Sequence, residues 1–322
     1  RPVQLVLHGG LHRSTPGGLP SSDVVSHRRP HRVPVSFLER LPPLTPSRRA
    51  LGACMAVRRF RLLSRCAASA DSWLLRFALP PGWSTPPGAA QIPTGIKVLH
   101  HSVEKSYSPV SHPAHQTLDL LVKHYSPRPN GGVSDTLCSL RVGEEVEVKV
   151  KPSRTIHGSP SVSRRWKRLG LLSCGTGIAP FVQILRILRN DEEDRTQVWL
   201  LNFNRSPDDI LLKAELDELA AGWPGGRLRV TYSLTGPNPP TDWQGALGRG
   251  SVDMAREALP PNRAEGGDTM ILVCGTDAFV EDWAGLRRQK LKDAVGRVIK
   301  SPGPFGGLLA KTGYRECEVY KY

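Results

Sequence analysis

The sequence predicts a small antiparallel β-barrel followed by a doubly wound, parallel-sheet α/β domain, both behind a basic N-terminal extension. Three observations predict this. Between Val57 and Val150, short β-rich runs are separated by Gly/Pro turns. From Leu169 onward, strand-like and helix-like runs alternate. Where the two patterns meet, the apolar run Leu169–Leu172, the small-residue turn Cys174-Gly175-Thr176-Gly177 and a helix start containing Pro180 follow one another directly. The chain has 322 residues, a length that suits two domains.

The extension covers residues 1–56. Prolines at positions 2, 16, 20, 30, 34, 42, 43 and 46 break any long helix there, and only a short amphipathic piece is expected at 35–41. The formal net charge is +15, and most of it lies in residues 1–70, where every cation is an arginine and the only acids are Asp23 and Glu39. Rich in Arg and Ser and poor in acids, the segment has the composition of a mitochondrial transit peptide, which predicts a mitochondrial, matrix location. An arm lying along RNA has much the same composition. That second reading predicts a larger assembly as partner, through mitochondrial ribosomal RNA and proteins. No apolar run approaches the roughly 18–20 residues that span a bilayer, so no transmembrane segment is expected. The six cysteines are scattered, with no C-x-x-C pair and no His cluster at zinc spacing, so no metal site is expected.

In the barrel, residues 57–155, strands are expected at 57–63, 72–79, 96–103, 116–125 and 145–150; the last alternates Glu and Lys with Val, as a half-buried strand does. A linker follows at 156–167. In the α/β domain, residues 168–322, strands are expected at 169–173, 196–203, 227–234, 269–274 and 316–320. Helices are expected at 179–189, 210–222, 251–258 and 277–291, with Gly/Pro-rich loops at 259–268 and 295–312. The junction turn is the first candidate site. Glycines let the backbone approach an anion, and a helix start offers unpaired N–H groups and the positive end of the helix dipole.

The order barrel then α/β domain, together with C-G-T-G-I-A-P-F at 174–181, resembles the ferredoxin-NADP-reductase superfamily and, within it, the cytochrome b5 reductase family, which has G-G-T-G-I-T-P-M at this turn. The resemblance covers residues 57–322. Arg76-Phe77-Ala78-Leu79-Pro80 resembles the family's R-F-x-L-P, and Lys105-Ser106-Tyr107-Ser108-Pro109-Val110-Ser111 resembles R-x-Y-T-P-V-S. Gly131-Gly132-Val133-Ser134 resembles the G-x-M-S phosphate turn, Leu140–Glu144 the turn between two barrel strands, and Lys151-Pro152-Ser153 the start of G-P-x-G. Further on, Asn204–Leu211 resembles N-x-T-E-x-D-I-L, Cys274-Gly275-Thr276-Asp277 resembles C-G-P-P, and Tyr320 resembles the C-terminal aromatic.

The resemblance implies FAD and NADH as cofactors and hydride transfer between them, with electrons passed on to an acceptor such as a haem protein. It implies FAD contacts from Lys105, Tyr107, Ser108, Gly131, Gly132, Val133 and Ser134, with Ser108 near the reacting edge of the flavin. It implies NADH contacts from Gly175, Thr176, Gly177, Pro180 and Asp209, with Tyr320 as the terminal aromatic, and it implies Cys274, near the nicotinamide, and Ser108 as the catalytic residues. A carboxylate at Asp209 can accept from ribose hydroxyls and favours NADH over NADPH. The chain departs from the family at Lys105 (for Arg), Cys174 (for Gly), Phe181 (for Met), Arg154 (for Gly) and Thr276-Asp277 (for Pro-Pro). Lysine lacks the bidentate fork of arginine, and Cys174 and Asp277 mark where NADH binding would be lost first. From the residues alone, Gly175 and Gly177 can equally serve a tight turn, Cys274 can be a buried small residue, and Asp209 can be a helix cap. Two functions therefore stand: an FAD-dependent NADH oxidoreductase, or a reductase-fold subunit or assembly factor of the mitochondrial ribosome with little or no NADH turnover.

Overall fold

The computed structural model describes residues 57–80, 95–100, 103–111, 117–125, 132–151, 154–262, 268–292 and 298–322. The extension 1–56, with the amphipathic piece expected at 35–41, lies outside the described residues, as does Gly131.

The first half is built from β1 (Val57–Ser69), β2 (Ser72–Ala78), β3 (Ile96–His100), β4 (Val103–Tyr107), β5 (Thr117–Lys123), α1 (Val133–Ser139) and β6 (Glu145–Val150). The strands form one six-stranded sheet in the order β4-β3-β6-β1-β2-β5, with every pair antiparallel. A bridge between Pro109 and Leu120 joins the chain leaving β4 to β5, the opposite edge, and closes the barrel. Alternation puts Phe60, Leu62, Leu75, Phe77, Val98, Leu120 and Val148 inside, all essentially without exposure. Leu137 of α1 is buried with them, so the helix closes the barrel core.

The second half comprises β7 (Arg168–Cys174), α2 (Ala179–Asn190), β8 (Gln197–Asn204), α3 (Lys213–Ala221), β9 (Leu228–Leu234), β10 (Ala246–Leu247), α4 (Val252–Ala258), β11 (Thr269–Cys274), α5 (Asp277–Ala284), β12 (Arg288–Lys292), β13 (Val298–Pro302), α6 (Gly307–Lys311) and β14 (Val319–Lys321). Its six-stranded sheet has the order β10-β9-β8-β7-β11-β14 and is parallel throughout. From β7 the chain first winds outward through β8 and β9, then returns to lay β11 on the other side. The carboxyl ends of β7 and β11 therefore meet at a topological switch point, where open α/β sheets bind ligands. Residues 156–167, expected as a linker, pack inward: Ile156 and Val162 are fully buried and Trp166 nearly so.

Several elements differ from expectation. β1 runs on through the Ser/Ala segment to Ser69. Helix α1 was not expected; it is seven residues long with a glycine N-cap that makes no side-chain cap bond. The helix expected at 210–222 begins at Lys213, because Leu212 adopts a left-handed conformation with φ of 57°. The helix expected at 277–291 stops at Ala284. There Gly285, with φ of +81°, turns the chain into the β12–β13 hairpin, which pairs with neither large sheet.

Candidate functional site

A groove of about 500 Å³ runs along the seam of the two halves. Its barrel wall carries Lys105, Tyr107 and Ser108, and its α/β wall is made by the turns after β7 and β11, with Pro180 and Asp209.

The first turn is a single 3-10 turn, Gly175–Ile178, leading straight into α2. Gly175 has φ of +53°, and a Cβ there would meet nothing within 4 Å, so the turn presents bare backbone to open space. Gly177 serves close approach instead: a Cβ would stand 2.3 Å from the Cys274 carbonyl oxygen and 2.9 Å from Gly275 Cα. The two switch-point turns can touch only because position 177 has no side chain. Pro180 lies in the first turn of α2, where its missing N–H costs nothing. The Ala179 N–H donates to the Thr176 carbonyl and Pro180 has none, so what the turn offers the groove is the bare backbone at Gly175.

The second turn, Cys274-Gly275-Thr276, is held by Thr276, whose Oγ1 accepts from Phe279 N at 3.2 Å and caps α5. Burial pushes the Cys274 thiol up to about 11, against the pull of Arg287 and Arg154. The thiol is therefore protonated near neutral pH, and Cys274, expected as catalytic, can shape the site but cannot act there as a thiolate. Burial raises the Cys174 thiol in the same way. The two cysteines pack into different apolar clusters on either side of the sheet.

On the barrel wall, Lys105 Nζ lies 5.0 Å from the ring centroid of Tyr125 and 6.0 Å from that of Tyr107. The Tyr107 hydroxyl is buried with no hydrogen-bond partner among the described residues, and burial raises its pKa above the ordinary phenol value. Arg76, from the R-F-A-L-P run, is a structural residue: it makes a two-pronged bond with Asp119 on the next strand, both contacts at 2.9 Å.

Asp209 stands in a short 3-10 turn after β8. Its Oδ1 accepts from Arg205 Nη2 and its Oδ2 from Ser206 Oγ, each at 2.9 Å. Burial alone would raise this carboxyl, but Arg205 and Ser206 outweigh it and hold the group below the ordinary range. The same Arg205 nitrogen reaches Asp71 in the β1–β2 turn at 3.1 Å, and Asp71 also pairs with Lys123 at 2.5 Å. This chain of charges crosses the groove from barrel to α/β half. The seam is also tied at α2, where Gln183 Nε2 donates to the Ser111 carbonyl at 2.5 Å and Arg186 donates to the Val110 carbonyl. Asp71, Lys123, Gln183, Arg186 and Arg205 escaped sequence reasoning. Only Arg205 carried a local signal, standing four residues before Asp209.

Four expected residues lie elsewhere. Val133 and Ser134 are buried at the start of α1, inside the barrel rather than in the groove wall, because a short helix closing a barrel must turn its first residues inward. Gly132 is the extended N-cap of that helix. Tyr320 is on the edge strand β14 and lines a second cleft of about 560 Å³. There it makes an edge contact with His157 at 6.3 Å and accepts from Arg154 Nη1 at 3.5 Å. Arg154 itself stacks on Tyr322 at 4.2 Å.

Known proteins match along the same division. Residues 59–155 match the family model of the oxidoreductase FAD-binding domain, and residues 171–284 that of the oxidoreductase NAD-binding domain. The chain thus carries an FAD-binding and an NAD-binding oxidoreductase domain, in that order. It is 34% identical over 271 residues to an NADH-cytochrome b5 reductase-like protein of Arabidopsis thaliana, covering 82% of this chain and 76% of that one. It is 34% identical over 245 residues to human NADH-cytochrome b5 reductase 1, covering 69% and 77%. The cytochrome b5 reductase domain of Ulva prolifera nitrate reductase shares the fold, with a TM-score of 0.63 at 23% identity over 83% of this chain and 97% of that domain. The chain therefore belongs to the NADH-cytochrome b5 reductase family, as a cytochrome b5 reductase-like member of the ferredoxin-NADP-reductase superfamily.

Proposed function

We propose that the protein is an FAD-dependent NADH oxidoreductase that delivers electrons to a haem protein. The observation that carries this reading is the single groove in which Lys105, Tyr107 and Ser108 face both switch-point turns. The groove suits a flavin nucleotide. Tyr107 offers an aromatic surface for a planar ring, Lys105 offers a cation, and the missing side chain of Gly175 leaves open space beside bare backbone.

FAD, when bound, supplies the hydride acceptor and the one-electron donor that side chains lack. The residues of this chain bind and orient. Tyr107 and Lys105 would hold the flavin nucleotide against the barrel. The bare backbone at Gly175 would meet phosphate oxygens. Asp209, kept ionised by Arg205 and Ser206, accepts from ribose hydroxyls. Ser108 would offer a hydroxyl, and Cys274 a neutral thiol, to groups bound in the groove. The haem-protein acceptor is inferred from relatives named for reducing cytochrome b5.

An absorbance spectrum of the purified full-length protein tests this reading. Flavin bands bleached by NADH under anaerobic conditions, and restored by a b5-type cytochrome, are expected. A pure protein that is colourless and takes up no FAD would overturn it. A groove whose walls come from both halves favours turnover over a purely scaffolding role, which needs no such convergence. The arginine-rich, acid-poor residues 1–70 favour a mitochondrial location, to be tested by import into isolated mitochondria with and without residues 1–56.

A further inference from the structure

Arg287 holds one wall of the groove from behind. The chain reaches it just after the bend at Gly285, and its root is pinned. Lys321 Nζ on β14 donates to the carbonyls of Leu286, Gly303 and Pro304 at 2.8, 2.7 and 2.9 Å, and Gly303 N donates to the Arg287 carbonyl at 3.2 Å. From this fixed base the guanidinium grips two points of one turn. Nη2 donates to the Gly275 carbonyl at 2.6 Å, and Nη1 pairs with Asp277 at 2.9 Å.

The two contacts differ in strength. The Arg287 side chain is 23% exposed, while Asp277 is 87% exposed. Water weakens the ion pair, so the short, charge-assisted bond to the carbonyl is the firmer hold. The gripped turn contributes Gly275 and Thr276 to the groove. Neither Thr276 nor Asp277 has the fixed φ of a proline, and Asp277, next to the groove-lining Thr276, carries a negative charge that opposes an anionic dinucleotide.

We propose that Arg287 is a positioning residue for the dinucleotide: it keeps the Cys274–Thr276 turn in the shape that lines the groove and offsets the charge of Asp277 toward an anionic ligand. The proposal rests on the reading of this groove as the NADH site.

The test uses full-length, FAD-loaded protein as wild type, R287A, R287K and R287A/D277N. NAD+ binding is measured by calorimetry, NADH kcat and KM with ferricyanide as acceptor, and flavin content and Tm alongside. R287A is expected to raise the NAD+ Kd and the NADH KM about tenfold. Flavin content should hold, and kcat should change far less than KM. Adding D277N should recover part of the loss, and that recovered part should shrink at high salt, as screening of a charge requires. R287K should fall between wild type and R287A, since one ammonium cannot reproduce the fork. The proposal is overturned if R287A leaves Kd and KM within twofold of wild type, or if flavin content, Tm and affinity decline together. Should R287A fail to fold, R287K decides alone: a Kd unchanged from wild type overturns the proposal. A wild-type protein that binds no NAD+ removes the dinucleotide reading itself, whereas tight wild-type binding with an unaffected R287A removes only the role of Arg287.

Discussion

The two walls of the groove are built on different physical principles. The α/β wall is backbone: two turns meet because Gly177 has no Cβ to hold them apart. The barrel wall is side chain: Lys105 projects from the exposed part of β4, and the half-buried Tyr107 packs against the barrel core. A backbone wall depends on single atoms and fails abruptly, whereas a side-chain wall tolerates substitution and changes by degrees. The chain's departures from its family fall on both walls: Lys105 replaces an arginine on the graded one, and Cys174 and Thr276-Asp277 stand in the two backbone turns, where Gly175 and Gly177 nonetheless keep their place.

The largest effect should come from Gly177→Ala. The new Cβ would meet three backbone atoms within 3 Å, none of which is a flexible side-chain tip. Separating the turns is expected to cost about 3 kcal/mol in chemical denaturation and to abolish NAD+ binding while FAD stays bound. Gly132→Ala is the control. Nothing lies within 4 Å of the Cβ it would add, so stability should change by less than about 0.5 kcal/mol. Equal losses in the two variants would break the contrast.

Next in size is the seam. Gln183 is 4% exposed, and its amide is the donor to the Ser111 carbonyl. Gln183→Leu strands that acceptor, which should cost about 1–2 kcal/mol. Because Ser111 ends the flavin-side run while Gln183 sits on the helix that starts at the glycine turn, the loss should also raise the NADH KM. Lower stability with an unchanged KM would assign Gln183 to folding alone.

The backbone wall was the more legible of the two. β7, the glycine turn and α2 are contiguous, so periodicity and composition sufficed to place them. Most strands of both sheets follow from short runs bounded by turn residues, but the strand expected at 96–103 is two, β3 and β4, which fold back on each other, and the two-residue β10 shows no run of its own. What sequence reasoning missed depends on contacts between distant positions. Helix α1 is too short to show a period and is stabilised by burying Val133, Leu137 and Cys138 in the barrel. Gly285 reads as one more loop glycine until its positive φ ends α5. Arg287 and Gln183 act on carbonyls, and a carbonyl leaves no trace in residue identity. Tyr320 was placed by resemblance near the groove, but the edge position of β14 takes it to the other cleft.

Lys105 probes the graded wall. It lies near two tyrosine rings, so its charge is already directed at the groove. Lys105→Ala is expected to weaken FAD binding about tenfold, and Lys105→Arg to tighten it a few-fold by supplying the fork a pyrophosphate prefers. Fluorescence titration of the apoprotein with FAD measures both. An all-or-none loss in Lys105→Ala would make this wall as brittle as the other.

The smallest effect concerns a charged side chain on the α/β wall. The Asp209 carboxyl is held below its ordinary value of 3.8, mainly against burial, by Arg205 and Ser206. A carboxyl depressed in the folded state stabilises the fold at every pH above its unfolded pKa, and that contribution is lost as pH falls through the folded value. Arg205 is 65% exposed, so its share should be below about 1 kcal/mol. Arg205→Gln should therefore lower Tm slightly and by a constant amount from pH 7 to about pH 5, with the gap to wild type closing below about pH 4, where the unfolded carboxyl takes up its proton. A gap that widens on acidification would have the wrong sign for a depressed carboxyl. A gap as large as that of Gly177→Ala would mean that charge, rather than close backbone approach, holds this wall together.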